Sequence, residues 1–194
     1  AVSSGGAVNY YSMIPAYEHH LERPSYNMCF GGFGNVQDRD YICVQSLDGI
    51  LSFYEQDSFA FCRELRASLL VPGPMVYMPN TDSIILGTDN HTVDAYRYSG
   101  LAAAADNVDV PNGIVQGKKV QQDWSTIVGE HVRQIEVMRF SRNLPPKQAE
   151  LLIVGEQSIF CLKENGSLRT MKRIDVQPTC AHAYNCPGDP NDAQ

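Results

Sequence analysis

The chain has 194 residues, 43% of them hydrophobic, so it is long enough to bury a core and lies near the upper size of one ordinary domain. Fifteen Lys and Arg against 22 Asp and Glu give a formal net charge of −7, and no basic run occurs, which excludes nucleic-acid backbone binding as its main task. No stretch approaches the roughly 18 consecutive apolar residues of a membrane-spanning helix.

The first residues, AVSSGG, include neither an initiator Met nor the charged-then-apolar pattern of a signal peptide. We therefore expect the numbering to begin inside a longer protein. A pair of histidines, His19-His20, follows between Glu18 and Glu22 and resembles a metal cluster. Neighbouring side chains of an extended segment point to opposite faces, so the two histidines cannot share one ion, and we predict a solvated strand end.

A strand-like run, SYNMCFGGF (25–33), ends in the glycine-rich segment Gly31-Gly32-Phe33-Gly34. Both known glycine-rich phosphate-binding motifs need a helix N-terminus immediately afterwards, and no helical pattern follows this segment. We predict a turn at the end of an innermost strand, without a phosphate site.

Residues 41–61 contain two alternating apolar runs separated by Asp48-Gly49, which is typical of a tight hairpin turn. The same arrangement occurs 42 residues later around Asn90-His91, where 84–88 matches 42–46 and 92–97 matches 50–55. It recurs in LLIVGEQSIFCLKENG (151–166), with Gly155 in the place of Gly87. Three copies of strand, turn and strand indicate a repeat.

Each copy is preceded and followed by a further strand-like run, which gives four short strands per unit. This spacing is typical of β-propeller blades. We predict an all-β fold of four-stranded antiparallel blades near 25–66, 73–129 and 132–176, with partial blades at both ends. The chain is long enough for about four blades, so we expect it to be part of a larger, seven-bladed propeller.

A few segments depart from the strand pattern. Pro72-Gly73-Pro74 should connect two blades, because proline interrupts regular pairing. Helical patterns occur only at LAAAADN (101–107) and at PPKQAELL (145–152), and the second segment is equally consistent with a loop that enters a strand. The loops 34–40 and 106–118 are our candidate interface segments, since exposed loops often carry function.

Candidate catalytic and metal-binding residues are few. Acidic residues in turns usually cap or form those turns, and we interpret Asp38-Arg39-Asp40, Asp82, Asp89 and Asp94 in this way. Glu130 and Glu136 are the only weak candidates for a channel carboxylate pair. We expect Trp124 to pack between blades. The sequence therefore predicts no enzyme activity and no catalytic, cofactor-binding or metal-binding residue.

The cysteines and glycosylation sequons leave two compartments open. The six cysteines include no CxxC, and Cys43 and Cys161 lie within alternating strands, which favours reduced thiols. Against this, Asn90-His91-Thr92 and Asn165-Gly166-Ser167 match the N-glycosylation pattern, and both should lie in hairpin turns. A secreted or ectodomain binding propeller therefore remains an alternative.

Longer blocks carry a family resemblance. YEHHLERPSYNMCFGGFGNVQDRDYICVQSLDGILSFYEQDSFAF, LLVPGPMVYMPNTDS, VQQDWSTIVGE and GEQSIFCLKENGSLRTMKRIDVQPTC follow one another in the chain. In this order they closely resemble the N-terminal β-propeller of the family of Bardet-Biedl syndrome protein nine, a subunit of the BBSome coat. The resemblance covers most of residues 17–181 and weakens through 100–118.

This resemblance implies that residues 1–194 belong to a single N-terminal propeller domain of a non-catalytic scaffold subunit. Its partners would be the other BBSome subunits and, indirectly, an Arl-type small GTPase, ciliary membrane cargo and intraflagellar transport. The implied locations are the cytoplasm, the cilium, the basal body or centriolar region and, peripherally through the complex, the ciliary membrane. A propeller hydrolase is the least favoured alternative, since it would need acidic residues that converge in a central channel.

Overall fold

The computed structural model describes residues 12–15, 18–39, 41–56, 58–65, 73–104, 120–141, 144–145 and 148–182. These residues form three four-stranded antiparallel sheets, each with its strands in chain order. The predicted all-β fold of four-stranded antiparallel sheets is confirmed. The predicted partial blades fall largely on residues 1–11 and 183–194, outside the described residues.

The strands are short, and we call each sheet a blade. Blade 1 contains β1 (Ser25–Gly31), β2 (Tyr41–Ser46), β3 (Ile50–Glu55) and β4 (Ser58–Glu64). Blade 2 contains β5 (Met75–Met78), β6 (Ser83–Gly87), β7 (Thr92–Arg97) and β8 (Trp124–Ile127). Blade 3 contains β9 (Gln134–Met138), β10 (Glu150–Val154), β11 (Ser158–Lys163) and β12 (Leu168–Arg173).

The repeat predicted from the hairpins is confirmed in blades 1 and 2. β3 and β7 begin and end 42 residues apart, as the sequence offset requires. The turns before them also match, because Gly49 (φ 84°) and His91 (φ 59°) both have left-handed backbones. Glycine adopts this conformation without strain, and the same tight turn forms with a histidine at the equivalent position.

The helical predictions had different outcomes. One α-helix, α1 (Tyr98–Ala103), begins three residues before the predicted segment 101–107, and much of that segment lies outside the described residues. Gln148 and Ala149 are irregular and lead into β10 at Glu150, so the loop interpretation of 145–152 is confirmed and the helical one is wrong. Among the described residues, neither α1 nor the 3-10 turns at Phe33–Asn35 and Pro79–Thr81 is long and apolar enough to cross a bilayer.

Two apolar cores lie between the blades, and the first strand of each blade packs beside that of the next. The first core joins blades 1 and 2 through residues that include Phe33, Phe53 and Tyr77. The second joins blades 2 and 3 and includes Ile85 and Ile153. Blade 2 buries both faces, since alternate residues of each strand point to opposite sides. Stacking of neighbouring blades is therefore what buries the hydrophobic residues.

Blade 1 has one apolar face that the described residues leave uncovered. Tyr26, Met28 and Phe30, which we call the apolar strip, are 55%, 67% and 69% exposed. They alternate along β1 with Cys29, which faces blade 2 and belongs to the first core. The residues of β5 that face the preceding blade, Met75 and Tyr77, are only 7% and 8% exposed. Blade 1 therefore presents to solvent a face of the kind that blade 2 buries.

Candidate interaction surface

The connections within blades share one edge of the molecule, which we call the loop rim. In an antiparallel sheet, the link from first to second strand and the link from third to fourth strand lie at the same end. Hydrogen bonds align these ends between blades: the backbone N–H of Gly34 (blade 1) donates to Oδ1 of Asp82 (blade 2) at 2.9 Å, and Nδ2 of Asn80 (blade 2) donates to Oε1 of Glu164 (blade 3) at 2.8 Å. The candidate loops 34–40 and 106–118 both emerge from this rim.

Phe33 anchors the first candidate loop. It is fully buried, and its ring centroid lies 4.7 Å from that of Tyr77 and 5.6 Å from that of Tyr98, both in blade 2. Within blade 1 it contacts Phe53 edge-on at 5.8 Å. Edge-to-face aromatic pairs add about 0.5–1.5 kcal/mol each beyond their buried area. The loop is therefore attached to both blades at its first residues.

Asp82 connects the same loop to blade 2 by hydrogen bonds. Its Oδ1 accepts from the backbone N–H of Gly34 and from the Tyr77 hydroxyl, both at 2.9 Å, and its carbonyl oxygen accepts from the N–H of Tyr98 at 2.8 Å. Burial, and then the neighbouring Asp82 carboxylate, raise the pKa of Tyr77. The tyrosine consequently stays protonated and remains a donor at neutral pH.

Between these anchors, residues 34–39 are exposed at the loop rim. Asn35 and Asp38 have positive φ angles of 59° and 62°, which Asn and Asp tolerate better than other non-glycine residues. At the far end, Nη1 of Arg39 lies 3.2 Å from Oε1 of Glu55, and Asp40 lies outside the described residues. The loop is thus a fixed, polar projection, suited to recognition more than to chemistry.

The second candidate loop, 106–118, lies outside the described residues, but the helix before it is well anchored. Arg63 of β4 donates from Nε to the Leu101 carbonyl oxygen at 2.7 Å and from Nη2 to that of Ala102 at 3.3 Å. Its guanidinium also lies 4.7 Å from the centroid of the Phe61 ring. A cation at the C-terminal carbonyls of a helix is favourable, so Arg63 attaches α1 to blade 1.

The junction of blades 2 and 3 contains the predicted tryptophan. Trp124 packs against the second core and donates from Nε1 to the Glu164 carbonyl oxygen at 3.0 Å, while the Thr126 hydroxyl donates to the Gly166 carbonyl oxygen at 2.6 Å. A Cβ at Gly166 would lie 2.4 Å from the Trp124 ring, so only glycine fits. The prediction that Trp124 packs between blades is confirmed.

The histidine and glycine candidates have structural surroundings. His19 stacks on Tyr54 with ring centroids 4.8 Å apart, and its Nε2 lies 2.9 Å from the Gln56 carbonyl oxygen. Within the described ranges, no three His, Cys, Asp or Glu residues are grouped as a metal site would require. β1 ends at Gly31, and a short 3-10 turn follows, so the predicted turn is confirmed.

One acidic residue differs from the turn role predicted for it. Asp94 lies inside β7 and is 1% exposed, so it does not form a turn. Its carboxylate accepts from the hydroxyls of Thr92 and Ser125 and from Nε2 of Gln122, at 3.0, 2.6 and 2.6 Å. These donors replace the water that the buried charge loses. Burial, and then Asp94, raise the pKa of Tyr96 to about 12, and a hydrogen bond from Gln122 opposes this rise.

The remaining carboxylate candidates make local contacts. Oε2 of Glu130 accepts from the backbone N–H of Gln157 at 2.7 Å, and Oε1 of Glu136 accepts from Nε2 of Gln134 at 2.7 Å. Gln134 also holds the backbone of Ala181 through two hydrogen bonds of 2.6 and 2.8 Å. The two glutamates therefore support neighbouring segments of the chain.

The cysteines of the described residues are free thiols. Cys29 and Cys43 face each other directly across β1 and β2, and both are buried. Burial raises the pKa of Cys43, and it raises that of Cys161 to about 11, which disfavours the reactive thiolate. Cys62 and Cys180 are exposed, and Cys186 lies outside the described residues.

Two side chains that anchor the loop rim were not predicted from the sequence. Asp82 was interpreted as a turn residue, and Arg63 was not singled out, although each joins blades 1 and 2. Their contacts connect residues 48 and 38 positions apart, so no local spacing indicates them. The sequence signal that was available is an Arg inside an otherwise apolar outer-strand run, SFAFCREL.

Comparison with known proteins identifies the family. The family described as PTHB1 N-terminal matches residues 2–194, almost the whole chain. The chain belongs to this family. Among PTHB1 relatives, Protein PTHB1 of Xenopus laevis is 40% identical over 185 residues, which are 93% of this chain and 21% of the relative. Protein PTHB1 of Mus musculus is 40% identical over 181 residues, covering 91% of this chain and 20% of the relative. The chain thus spans about a fifth of the length of the PTHB1 proteins it matches.

Solved structures show the fold of this PTHB1 segment. The crystal structure of BBS1N in complex with ARL6DN, soaked with mercury, superposes with a TM-score of 0.58 at 14% identity. The match covers 82% of this chain and 43% of the BBS1N chain. The same complex soaked with lead gives a TM-score of 0.57 at 15% identity. The three sheets are therefore blades of a β-propeller.

Proposed function

We propose that this chain is part of the N-terminal β-propeller of a non-catalytic scaffold subunit of the BBSome, which acts in ciliary membrane-protein trafficking and cilium assembly. The observation that carries the proposal is the PTHB1 family match across residues 2–194. In this proposal residues 1–194 belong to one propeller domain, and further blades of the parent complete a seven-bladed ring. Fold alone does not define function, so the family supplies the function and the blades supply a rigid support.

The proposed partners are proteins. They are the other BBSome subunits directly and, through the complex, an Arl-type small GTPase, ciliary membrane cargo and intraflagellar transport. In support, the structural neighbour BBS1N is in complex with ARL6DN. The net charge of −7 is consistent with a role that does not involve nucleic acid. Membrane association would be peripheral, through the complex, and the proposed locations are the cytoplasm, the cilium and the basal body or centriolar region.

We assign recognition first to loop 34–39. Its anchors, Phe33 and Asp82, fix it on two blades, so binding a partner costs little loop ordering. Arginine is enriched among interface residues, and Arg39 is the basic residue of this exposed loop. Its ion pair with Glu55 orients the side chain, and a surface ion pair of this kind is weak enough to exchange for a partner's carboxylate.

The test is affinity capture of the full-length parent from ciliated cells, with mass spectrometry of proteins recovered at near-equal stoichiometry. The matched variants are Arg39→Glu and Arg97→Glu. Each breaks one ion pair, with Glu55 or with Asp123, and the two arginine side chains are similarly exposed at 57% and 56%. We expect the wild type and Arg97→Glu to recover the other coat subunits and Arg39→Glu to recover fewer of them.

The outcomes separate the proposals. Coat subunits recovered equally with both variants would remove loop 34–39 from the interface but keep the scaffold role. Recovery of the parent alone, carrying glycans at Asn90 or Asn165, would replace the scaffold by the extracellular binding propeller. Both asparagines are exposed in hairpin turns, so a glycosidase-sensitive mass shift on these peptides is a direct readout.

A further inference from the structure

Positive charge is concentrated in one part of this acidic chain. Residues 139–173 contain seven Lys and Arg but only three Glu, whereas the whole chain has a net charge of −7. This segment includes the β9–β10 connection and the β11–β12 hairpin, so most of its basic residues belong to the loop rim and outer edge of blade 3. A local field of sign opposite to the net charge can attract an acidic partner.

The three glutamates of this segment do not cancel the field. Glu150 is buried, and its carboxylate accepts from Nη1 of Arg169 at 2.7 Å and from the backbone N–H groups of Phe140 and Ser141 at 3.0 and 2.9 Å. Oε1 of Glu164 accepts from Asn80 and from the N–H of Ala149, each at 2.8 Å. Glu156 lies in the β10–β11 turn, at the end of the blade opposite the loop rim.

A groove crosses the loop rim of blade 3 beside this charge. It encloses about 390 Å³ between the β9–β10 connection and the β11–β12 turn. Leu144 and Pro145 form an apolar wall, while Lys163 and Arg169 border it on the opposite side. We name it the blade 3 groove. An apolar floor with charged borders suits a segment that has one buried side chain and acidic neighbours.

The groove leads to an open strand edge. All six residues of β12 are exposed, and within the described sheets β12 pairs with β11 alone. Leu168 and Met171 are 54% and 51% exposed, and Lys172 and Arg173 follow them. Because β12 is the outermost strand of its blade, packing of a next blade against the face of blade 3 would leave this edge accessible. An exposed edge can accept one further strand by main-chain hydrogen bonds.

We propose that the blade 3 groove and the β12 edge bind an acidic, extended segment of a partner protein. The segment adds as a fifth strand to blade 3, and its carboxylates face Lys163 and Lys172. A concave groove joined to a strand edge fits an extended chain, whereas a bilayer surface would contact the charges without entering the groove. This inference is independent of the proposed BBSome role, so either can fail without the other.

The test uses the full-length parent and a fluorescein-labelled ten-residue peptide of alternating Glu and Val, followed by fluorescence anisotropy at low and moderate salt. The patch variant is Lys163→Glu with Lys172→Glu. The control variant, Arg97→Glu with Arg133→Glu, changes net charge equally at residues outside the groove. A peptide of alternating Lys and Val tests the sign of the charge. Elution on gel filtration checks that the variants remain folded.

We expect the acidic peptide to bind the wild type and the control variant alike, and salt to weaken that binding. The patch variant should bind at least about tenfold more weakly, since close interfacial charge pairs strongly affect affinity. Equal loss in both variants would reduce the effect to overall charge and overturn the proposal. So would the absence of binding, or binding to phosphatidylserine vesicles in place of the peptide.

Discussion

Gly166→Ala and Gly129→Ala form a matched pair that tests the junction of blades 2 and 3. Both glycines have φ of 78°, so each alanine has the same left-handed backbone cost of about 1–2 kcal/mol. A Cβ at Gly129 meets nothing within 4 Å, whereas a Cβ at Gly166 lies 2.4 Å from the Trp124 ring. The ring or the turn must move by roughly 1 Å to restore ordinary contact.

That movement disrupts the bond from Trp124 to the Glu164 carbonyl and the bond from Thr126 to the Gly166 carbonyl. Each contributes about 0.5–1.5 kcal/mol, so Gly166→Ala should cost about 1–3 kcal/mol more than Gly129→Ala.

Hydrogen exchange with mass spectrometry on the full-length parent measures this difference in β8 and in the β11–β12 turn. We expect exchange in these peptides to be about 5- to 150-fold faster in Gly166→Ala than in Gly129→Ala. β2 and β3 should exchange equally in both variants. Equal rates in β8 would refute the role of Trp124 in holding the junction of blades 2 and 3.

Three further predictions follow from burial. Phe33→Ala should destabilise loop 34–39 by about 3–5 kcal/mol because Phe33 is fully buried, whereas Phe59→Ala, at an exposed ring, should cost less than about 1 kcal/mol; equal hydrogen exchange of the loop in the two variants would contradict this. Tyr77 has a pKa raised above its ordinary value of 10.0, so its contribution to stability is complete below pH 10 and is lost as pH rises beyond it; alkaline unfolding followed by circular dichroism should be less steep in Tyr77→Phe, and an unchanged slope would reject the assignment. Iodoacetamide followed by peptide mass spectrometry should modify exposed Cys62 quickly but Cys161 only after denaturation, and rapid native labelling of Cys161 would show that the thiol is accessible.

The sequence predicted the blades because their signals are local. Alternation of apolar residues and turn residues such as Gly49 are visible within ten positions, and the offset of 42 residues relates β3 to β7. The start of α1 was missed for a physical reason. The Ala-rich run favours a helix, but the helix begins earlier at Tyr98, whose N–H donates to the Asp82 carbonyl oxygen in another connection.

The loop rim was predictable only as a place where loops occur. Its rigidity depends on Asp82 and Arg63, which act across the gap between two blades, and a single sequence does not indicate which distant residues meet. Asp94 illustrates the same limit, since a buried carboxylate inside a strand is satisfied by Gln122 and Ser125 from beyond its own strand. Polar contacts between distant segments are therefore the part of this structure that sequence patterns leave open.

The apolar strip of blade 1 has a practical consequence for biochemical work. Tyr26, Met28 and Phe30 form a contiguous hydrophobic surface on a sheet, and such surfaces drive association between copies of a protein. When expressed alone, residues 1–194 should self-associate as concentration rises, with a sedimentation coefficient that depends on loading. Binding constants measured on the separated segment would then report competition with its own copies, and the longer parent is the appropriate material for quantitative work.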